Sequence, residues 1–470
     1  MGATTAPANI PNTAWTSFVL SIKGDVVTSD HPDYQEAKQA KNLVYDRKPA
    51  IVVRVEDAAD VSRSITFARR YNLPFAVKGG GHSIGGHSVN NGGLVIDTRR
   101  MNNVRVDVEN RTAWAQSGAV AREFLQAVEP HGFAVPFGDA GSVGLGGITL
   151  GGGIGYLVRK HGLTIDNLLA VELVTADGQI VTASETEHPD LFWALRGGGG
   201  NFGVVTAFQY RLVELPQIYG GALVLPLTKE VLREYNRISL EAPEELTTIS
   251  MAVKAPPMPF IPEGAWGTPV FVAFTAYIGD VEKGPEAVAP LRALAQPIAD
   301  TLGPMKLSGL YDYLVPAEAP ARARVRSGFY QEVSDEILDA TIEYVAKSPM
   351  SMSFLQLRPI GNGAMNRVPA DATAFAHRDA QFLLAVIDHW EDEAADAENE
   401  AWVDSLWDAI KETRNGVYSN FLQAEGEGRI REAYISRTFE RLAALKQRYD
   451  PANFFSGNEN IKPKALSAAA

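Results

Sequence analysis

The sequence predicts an α+β chain in two parts, on three observations. In the first half, short apolar strands alternate with helices and with glycine-rich loops. After Pro216 glycine becomes sparse, and alternating apolar segments with helical stretches between them suit an antiparallel sheet covered by helices. The chain has 470 residues, too many for one ordinary core.

The elements follow in order. The first fifty residues read as an entry helix and a lead-in. Ile51 to Val55 is a short strand, and Asp57 opens a helix with Val61, Ile65 and Ala68 at helical spacing. Pro74 precedes the strand Phe75-Ala76-Val77, and Leu94 to Asp97 is the next. Val104 to Gly118 reads as short strands and Val120 to His131 as a helix. Glu172 to Ala183 is a hairpin around Asp177-Gly178, Pro189 to Leu195 a short helix, and Val204 to Leu212 a strand. In the second part Pro269 to Tyr277, Ser351 to Leu357 and Gln381 to Ile387 read as strands. Glu432 to Tyr449 is an amphipathic helix stopped by Asp450-Pro451.

Composition narrows the function. A net charge of -13 argues against nucleic acid, which needs clustered Lys and Arg. No run approaches the ~20 apolar residues that span a bilayer. Met1 to Ile10 lacks a charged region followed by an apolar run, so a cytoplasmic protein with no membrane partner is expected. Cysteine is absent, which excludes disulfides, thiolate metal sites and cysteine nucleophiles. The eight histidines are scattered, and no metal site is expected.

Three glycine-rich loops carry the chemical signal: Gly79 to Gly86, Gly138 to Gly155 and Gly197 to Gly203. Successive N–H groups in such loops form a nest that suits a pyrophosphate. The third loop spells a dinucleotide fingerprint at Gly198-Gly199-Gly200-Asn201-Phe202-Gly203. Its context is wrong, because it leaves a helical segment and enters a strand, whereas the fingerprint leaves a strand and opens a helix.

The loops have a fuller match. Lys78-Gly79-Gly80-Gly81-His82-Ser83, Gly85-Gly86-His87-Ser88, Gly144-Leu145-Gly146-Gly147 and Gly151-Gly152-Gly153-Ile154-Gly155 resemble the FAD-linked oxidases of the vanillyl-alcohol oxidase superfamily, in the berberine-bridge-enzyme-like branch. Asp190 to Gly203, and Tyr449-Asp450-Pro451 with Asn453-Phe454-Phe455, extend the likeness over nearly the whole chain.

The resemblance implies a two-part FAD-binding domain of the PCMH type over residues 1–215, with its core from about 46. It implies a substrate domain at 216–428 and a segment at 429–470 that returns to the FAD domain. FAD is then expected against Gly79, Gly80, Gly81, Ser83, Gly85 and Gly86 of the first loop. In the second loop the implied residues are Ser142, Val143, Gly146, Gly147, Gly152, Gly153 and Gly155. Val204 and Asn458 complete the set, with Asn458 near the pyrimidine edge. His82 matches the histidine that bonds covalently to the flavin 8α carbon. Ala140 stands where many members place a second, cysteine link, so a singly linked flavin is expected. Val143 matches an oxygen-gating position, which implies O2 as electron acceptor and H2O2 as product.

On the substrate side, Gly416-Val417-Tyr418-Ser419-Asn420-Phe421 resembles a segment whose tyrosine sits near the reacting carbon. A Tyr418 of lowered pKa is a candidate base, and a packed aromatic on a strand is the plain alternative. Gln356 and Arg358 alternate with Leu355 and Leu357, so one strand face is polar, and the resemblance turns it toward the flavin. His87 and the pair His377-Arg378 are read as structural. The expected activity is oxidation of a small organic substrate. Oxidative cyclisation, oxygenation and a non-catalytic relative are the alternatives.

Overall fold

The structure is a computed structural model that describes residues 6–7, 9–314, 319–349 and 352–464. Three large sheets organise it. The first has the order Asp25–Val27, Ile51–Arg54, Leu94–Asp97, Phe75–Lys78. Its last three strands run parallel, and the helix Ala58–Arg70 makes one crossover. Asp57 caps that helix, its Oδ1 accepting Asp60 N–H at 3.0 Å. The second sheet is antiparallel, in the order Val104–Asp107, Thr112–Gln116, Val204–Arg211, Leu168–Val174, Ile180–Ser184. The last pair is the expected Asp177-Gly178 hairpin, with Gly178 at φ 85°.

The third sheet uses strands between Ile218 and Trp390 and is antiparallel throughout. Its central strands are Pro269–Tyr277, Leu246–Lys254, Ser353–Pro359 and Phe382–Trp390. The expected strand start at Ser351 lies outside the described residues. Leu355, Leu357, Leu384 and Val386 pack on one face beneath the helices Lys229–Glu241, Asp335–Ala346 and Asp396–Ile410. Met251, Phe354, Ala385 and Ile387 pack on the other face with residues from the first half of the chain. Both faces are therefore buried, and the strand Ser353–Pro359 is buried at all seven positions.

The helix expected over Glu432 to Tyr449 begins at Ser436, and Glu432 instead closes a short helix before it. Glu427–Glu432 and Ser436–Tyr449 are separated at Ala433-Tyr434-Ile435. The break buries Tyr434, whose Oη donates to Gly197 O at 3.3 Å in the third glycine-rich loop.

The tail is fixed to the same loop by a fully buried ion pair. Lys446 Nζ lies 2.8 Å from Asp450 Oδ2, and both side chains are 0% exposed. Lys446 also donates to Asn201 O at 2.7 Å and Phe455 O at 2.9 Å. Asp450 in turn accepts the N–H groups of Phe454 and Phe455 at 2.8 and 2.9 Å. Removing one partner strands a buried charge, which costs about 3–5 kcal/mol. Lys446→Met should lower the urea-unfolding free energy by about that amount; an unchanged midpoint would show that the pair holds nothing.

Candidate active site

The three glycine-rich loops, the tail and the inner face of the third sheet enclose one cavity of about 500 Å³, within the usual range for a small-molecule site. Gly79, Gly80, Gly81, His82, Ser83, Val143, Gly146, Gly147, Val204 and Asn458 line it, as do Gln356, Arg358 and Tyr418. Residues separated by more than three hundred positions thus meet at one place. Gly85, Gly86, Ser142, Gly152, Gly153 and Gly155 stand behind this wall. Gly86 packs on the Tyr45 ring, Gly152 on Phe375 and Gly155 on Phe137 O, each with no room for a Cβ.

The first two loops cross backbone to backbone. A Cβ on Gly80 would lie 2.4 Å from Gly144 N, so only glycine permits the approach. Two residues beyond the crossing, His82 Nε2 lies 2.8 Å from Ser142 Oγ. Burial, with Lys41 nearby, pulls the His82 pKa down to about 4, so its imidazole is neutral at physiological pH. The Ser142 backbone also hydrogen-bonds the ring.

The cavity suits a large polar cofactor. A Cβ on Gly147 would meet no protein atom within 4 Å, so bare backbone borders open space there. Ser88 Oγ, Ser117 Oγ and Asn458 Oδ1 are buried without a partner, and all three residues line the cavity. Buried polar atoms need partners, and the ribityl, phosphate and ring groups of FAD can supply them. Asn458 is itself held in place, its Nδ2 donating to Gly200 O at 3.0 Å and Phe455 O at 3.2 Å.

Tyr418 departs from expectation in two respects. It does not lie on a strand; it precedes the short 3-10 turn Ser419–Phe421. Its pKa is raised from 10, not lowered, because complete burial outweighs the surrounding donors. Tyr418 Oη accepts Gly153 N–H at 3.0 Å and Asn420 Nδ2 at 2.8 Å. Gly153 therefore acts from behind the wall, through Tyr418.

Gln356 and Arg358 do share the inner face. Sequence reasoning missed the group that organises them. Asp139 Oδ2 accepts Arg358 Nη2 at 2.8 Å, while Arg358 Nε donates to Gln356 Oε1 at 2.9 Å and Nη1 to Ile154 O at 3.0 Å. The guanidinium also lies 5.3 Å from the centre of the Phe421 ring. Asp139 sits inside the second glycine-rich loop, where an acid among glycines is the available signal. His87 and the pair His377-Arg378 are tied into the scaffold. His87 Nε2 lies 3.0 Å from Glu459 Oε1, His377 Nε2 bonds Glu432 O at 2.9 Å, and Arg378 grips Asp166 with two bonds of 2.7 Å. Among the described residues no cluster could hold a metal ion, and no helix is long and apolar enough to cross a membrane.

The Asp139–Arg358 pair joins the second loop to the third sheet, with side chains only 16% and 4% exposed. Asp139→Ala should cost about 3 kcal/mol of stability by leaving the guanidinium uncompensated. The double variant Asp139→Ala/Arg358→Met should recover part of that loss in urea unfolding. Additive losses would show that the two side chains are not coupled.

Comparison with known proteins places this architecture. The family model described as FAD binding domain matches residues 49–184, and the model described as berberine and berberine like matches residues 417–462. The uncharacterised FAD-linked oxidoreductase YgaK of Bacillus subtilis (strain 168) is 30% identical over 458 residues, covering 94% of this chain and 97% of that one. (R)-6-hydroxynicotine oxidase of Paenarthrobacter nicotinovorans is 29% identical over 467 residues, with 95% and 98% covered. The crystal structure of 6-hydroxy-D-nicotine oxidase from Arthrobacter nicotinovorans superposes with a TM-score of 0.84 at 25% identity, covering 95% and 99%. Glucooligosaccharide oxidase from Acremonium strictum, with a 6-S-cysteinyl, 8α-N1-histidyl FAD, gives 0.84 at 25% identity, covering 96% and 99%. The chain, whose loops, tail and sheet close around a cavity of this kind, belongs to the berberine-like family of FAD-linked oxidoreductases.

Proposed function

We propose that the protein is an oxidase that carries FAD bonded once, through His82, and oxidises a C–H beside oxygen or nitrogen in a small organic molecule. The carrying observation is the setting of His82: neutral, held through Nε2 against Ser142, and lining the cavity. A neutral imidazole is the nucleophile that attachment to a ring methyl requires. Glucooligosaccharide oxidase supports the histidyl link, and Ala140 at the cavity wall supports a single bond.

When bound, FAD would supply the two-electron chemistry: acceptance of hydride and reduction of O2 to H2O2. The protein supplies position and proton control. Two donors occupy the Tyr418 oxygen, so its own proton is offered to the substrate's oxygen or nitrogen. With its pKa above 10 the phenol stays protonated through neutral pH, so it positions the substrate as a hydrogen-bond donor, and the proton that leaves the substrate with the hydride passes to water rather than to Tyr418. Gln356 and Arg358 shape the adjoining wall. Val143 lies on the cavity surface, where the proposed oxygen gate needs it.

O2 uptake with a panel of neutral phenols, alcohols and amines tests the activity. The reading expects turnover of at least one member, with H2O2 formed in equal amount to the O2 consumed. No turnover, or O2 consumed without H2O2, contradicts it; the latter points to oxygenation. Tyr418→Phe should keep its flavin and slow anaerobic flavin reduction about tenfold. The wild-type reduction rate should show no ionisation of Tyr418 between about pH 6 and 9, because burial raises its pKa.

Attachment has its own pH signature. The lowered pKa keeps His82 neutral above about pH 4. FAD added to apoprotein should therefore bond at a constant rate from about pH 8 down to about pH 5, and more slowly below that as the imidazole takes a proton. A rate that halves near the ordinary histidine value of about 6.5 would show that the imidazole is not held neutral.

A further inference from the structure

The face of the third sheet that lines the cavity carries a polar group the oxidation itself does not use. Register across the strands Ser353–Pro359, Phe382–Trp390 and Arg322–Tyr330 arranges its side chains in rungs. Gln356 lies opposite Ala385, Ile387 lies between Phe354 and Val325, and His389 lies opposite Ala323. Successive rungs on one face are two residues apart, so His389 stands about 13 Å along the strand from the Gln356 rung. Between them Phe354, Ile387 and Val325 form an apolar band that lines the cavity.

His389 also lines the cavity, and its ring stacks on Phe354 with centroids 6.3 Å apart and planes 25° apart. Its Nδ1 is sealed off with no partner, and Nε2 makes no hydrogen bond among the described residues. Burial pulls its pKa down to about 4, so the ring is neutral. A proton on Nδ1 would be buried without an acceptor; on the other nitrogen it is free for a ligand. His389 stands on the His82 side of the cavity, away from the Arg358 end.

We propose that His389 is a specificity-determining residue that donates a hydrogen bond to an oxygen of a flat, uncharged, aromatic substrate lying along this apolar band. The proposal rests on the oxidase reading above and names the substrate class of that site. Arg358 is cancelled by Asp139, so this face offers no unpaired charge to an ionic ligand. Gln356 and Arg358 are already engaged with each other and with Asp139. A sugar ring would bury hydroxyls against Phe354, Ile387 and Val325, which can bond none of them. An aromatic ring loses nothing there and gains a stacking surface.

The test uses the yellow holoprotein and follows the flavin absorption band. 2-Naphthol is titrated against 2-methylnaphthalene, which has the same shape without the hydroxyl, in wild type, His389→Phe and His389→Gln. Wild type should bind 2-naphthol about tenfold more tightly. His389→Phe keeps the stacking surface and should abolish that preference without weakening 2-methylnaphthalene. His389→Gln, which can still donate, should keep part of it. A preference that survives in His389→Phe overturns the proposal, as does a wild type with no preference or one that neither compound perturbs. Colourless wild-type protein would instead overturn the flavoenzyme reading, so the two failures are distinct.

Discussion

Where Gly80 meets Gly144, two loops touch main chain to main chain with no space for a side chain. The rest of the site depends on that contact. It sets His82 beside Ser142 and places the first loop's N–H groups along one wall of the cavity. The second loop is braced from behind, with Ala121 N–H donating to Val143 O at 3.0 Å and Leu145 N–H to Ala119 O at 2.9 Å. Glycine here is a steric requirement, because a side chain at either position would force apart the loops that hold the histidine.

Two buried ion pairs tie the other walls to this floor. Lys446 and Asp450 fasten the tail to the third loop, and Asn201 adds a staple by accepting Ile461 N–H at 3.0 Å and donating to Glu459 O at 3.1 Å. Arg358 and Asp139 fasten the third sheet to the second loop. Each pair satisfies its charge internally. The structure can therefore bring a guanidinium to the cavity wall without making the substrate end strongly charged, which suits a site for neutral molecules.

Much of this was legible in the sequence, because the glycine-rich loops are local patterns with a physical reason behind them. The strands Leu94–Asp97 and Pro269–Tyr277 and the helix Pro189–Leu195 fall at the expected residues, since apolar runs and a helix-opening proline mark them. What was not legible depends on long-range partners. Asp139 lies between two residues already singled out, yet its role appears only when Arg358 arrives from 219 positions away. Asn420 supports Tyr418 from within the same segment. The pKa of Tyr418 moved opposite to expectation because burial is a property of the packed molecule, which no motif records. The helix break at Ala433 to Ile435 likewise sets Tyr434 on a distant acceptor, Gly197. His389 could have been found from strand alternation, which sets it on the face of Ile387 and Ala385, but its missing partner is visible only in three dimensions.

Peptide mass mapping of the purified protein tests the central claim most directly. Digestion should yield the peptide that contains His82 with the added mass of one flavin, and fragmentation should place the adduct on that histidine. His82→Ala should give the same peptide unmodified. A wild-type His82 peptide of unmodified mass, or a flavin adduct on any other residue, would contradict the account of how these loops hold their cofactor.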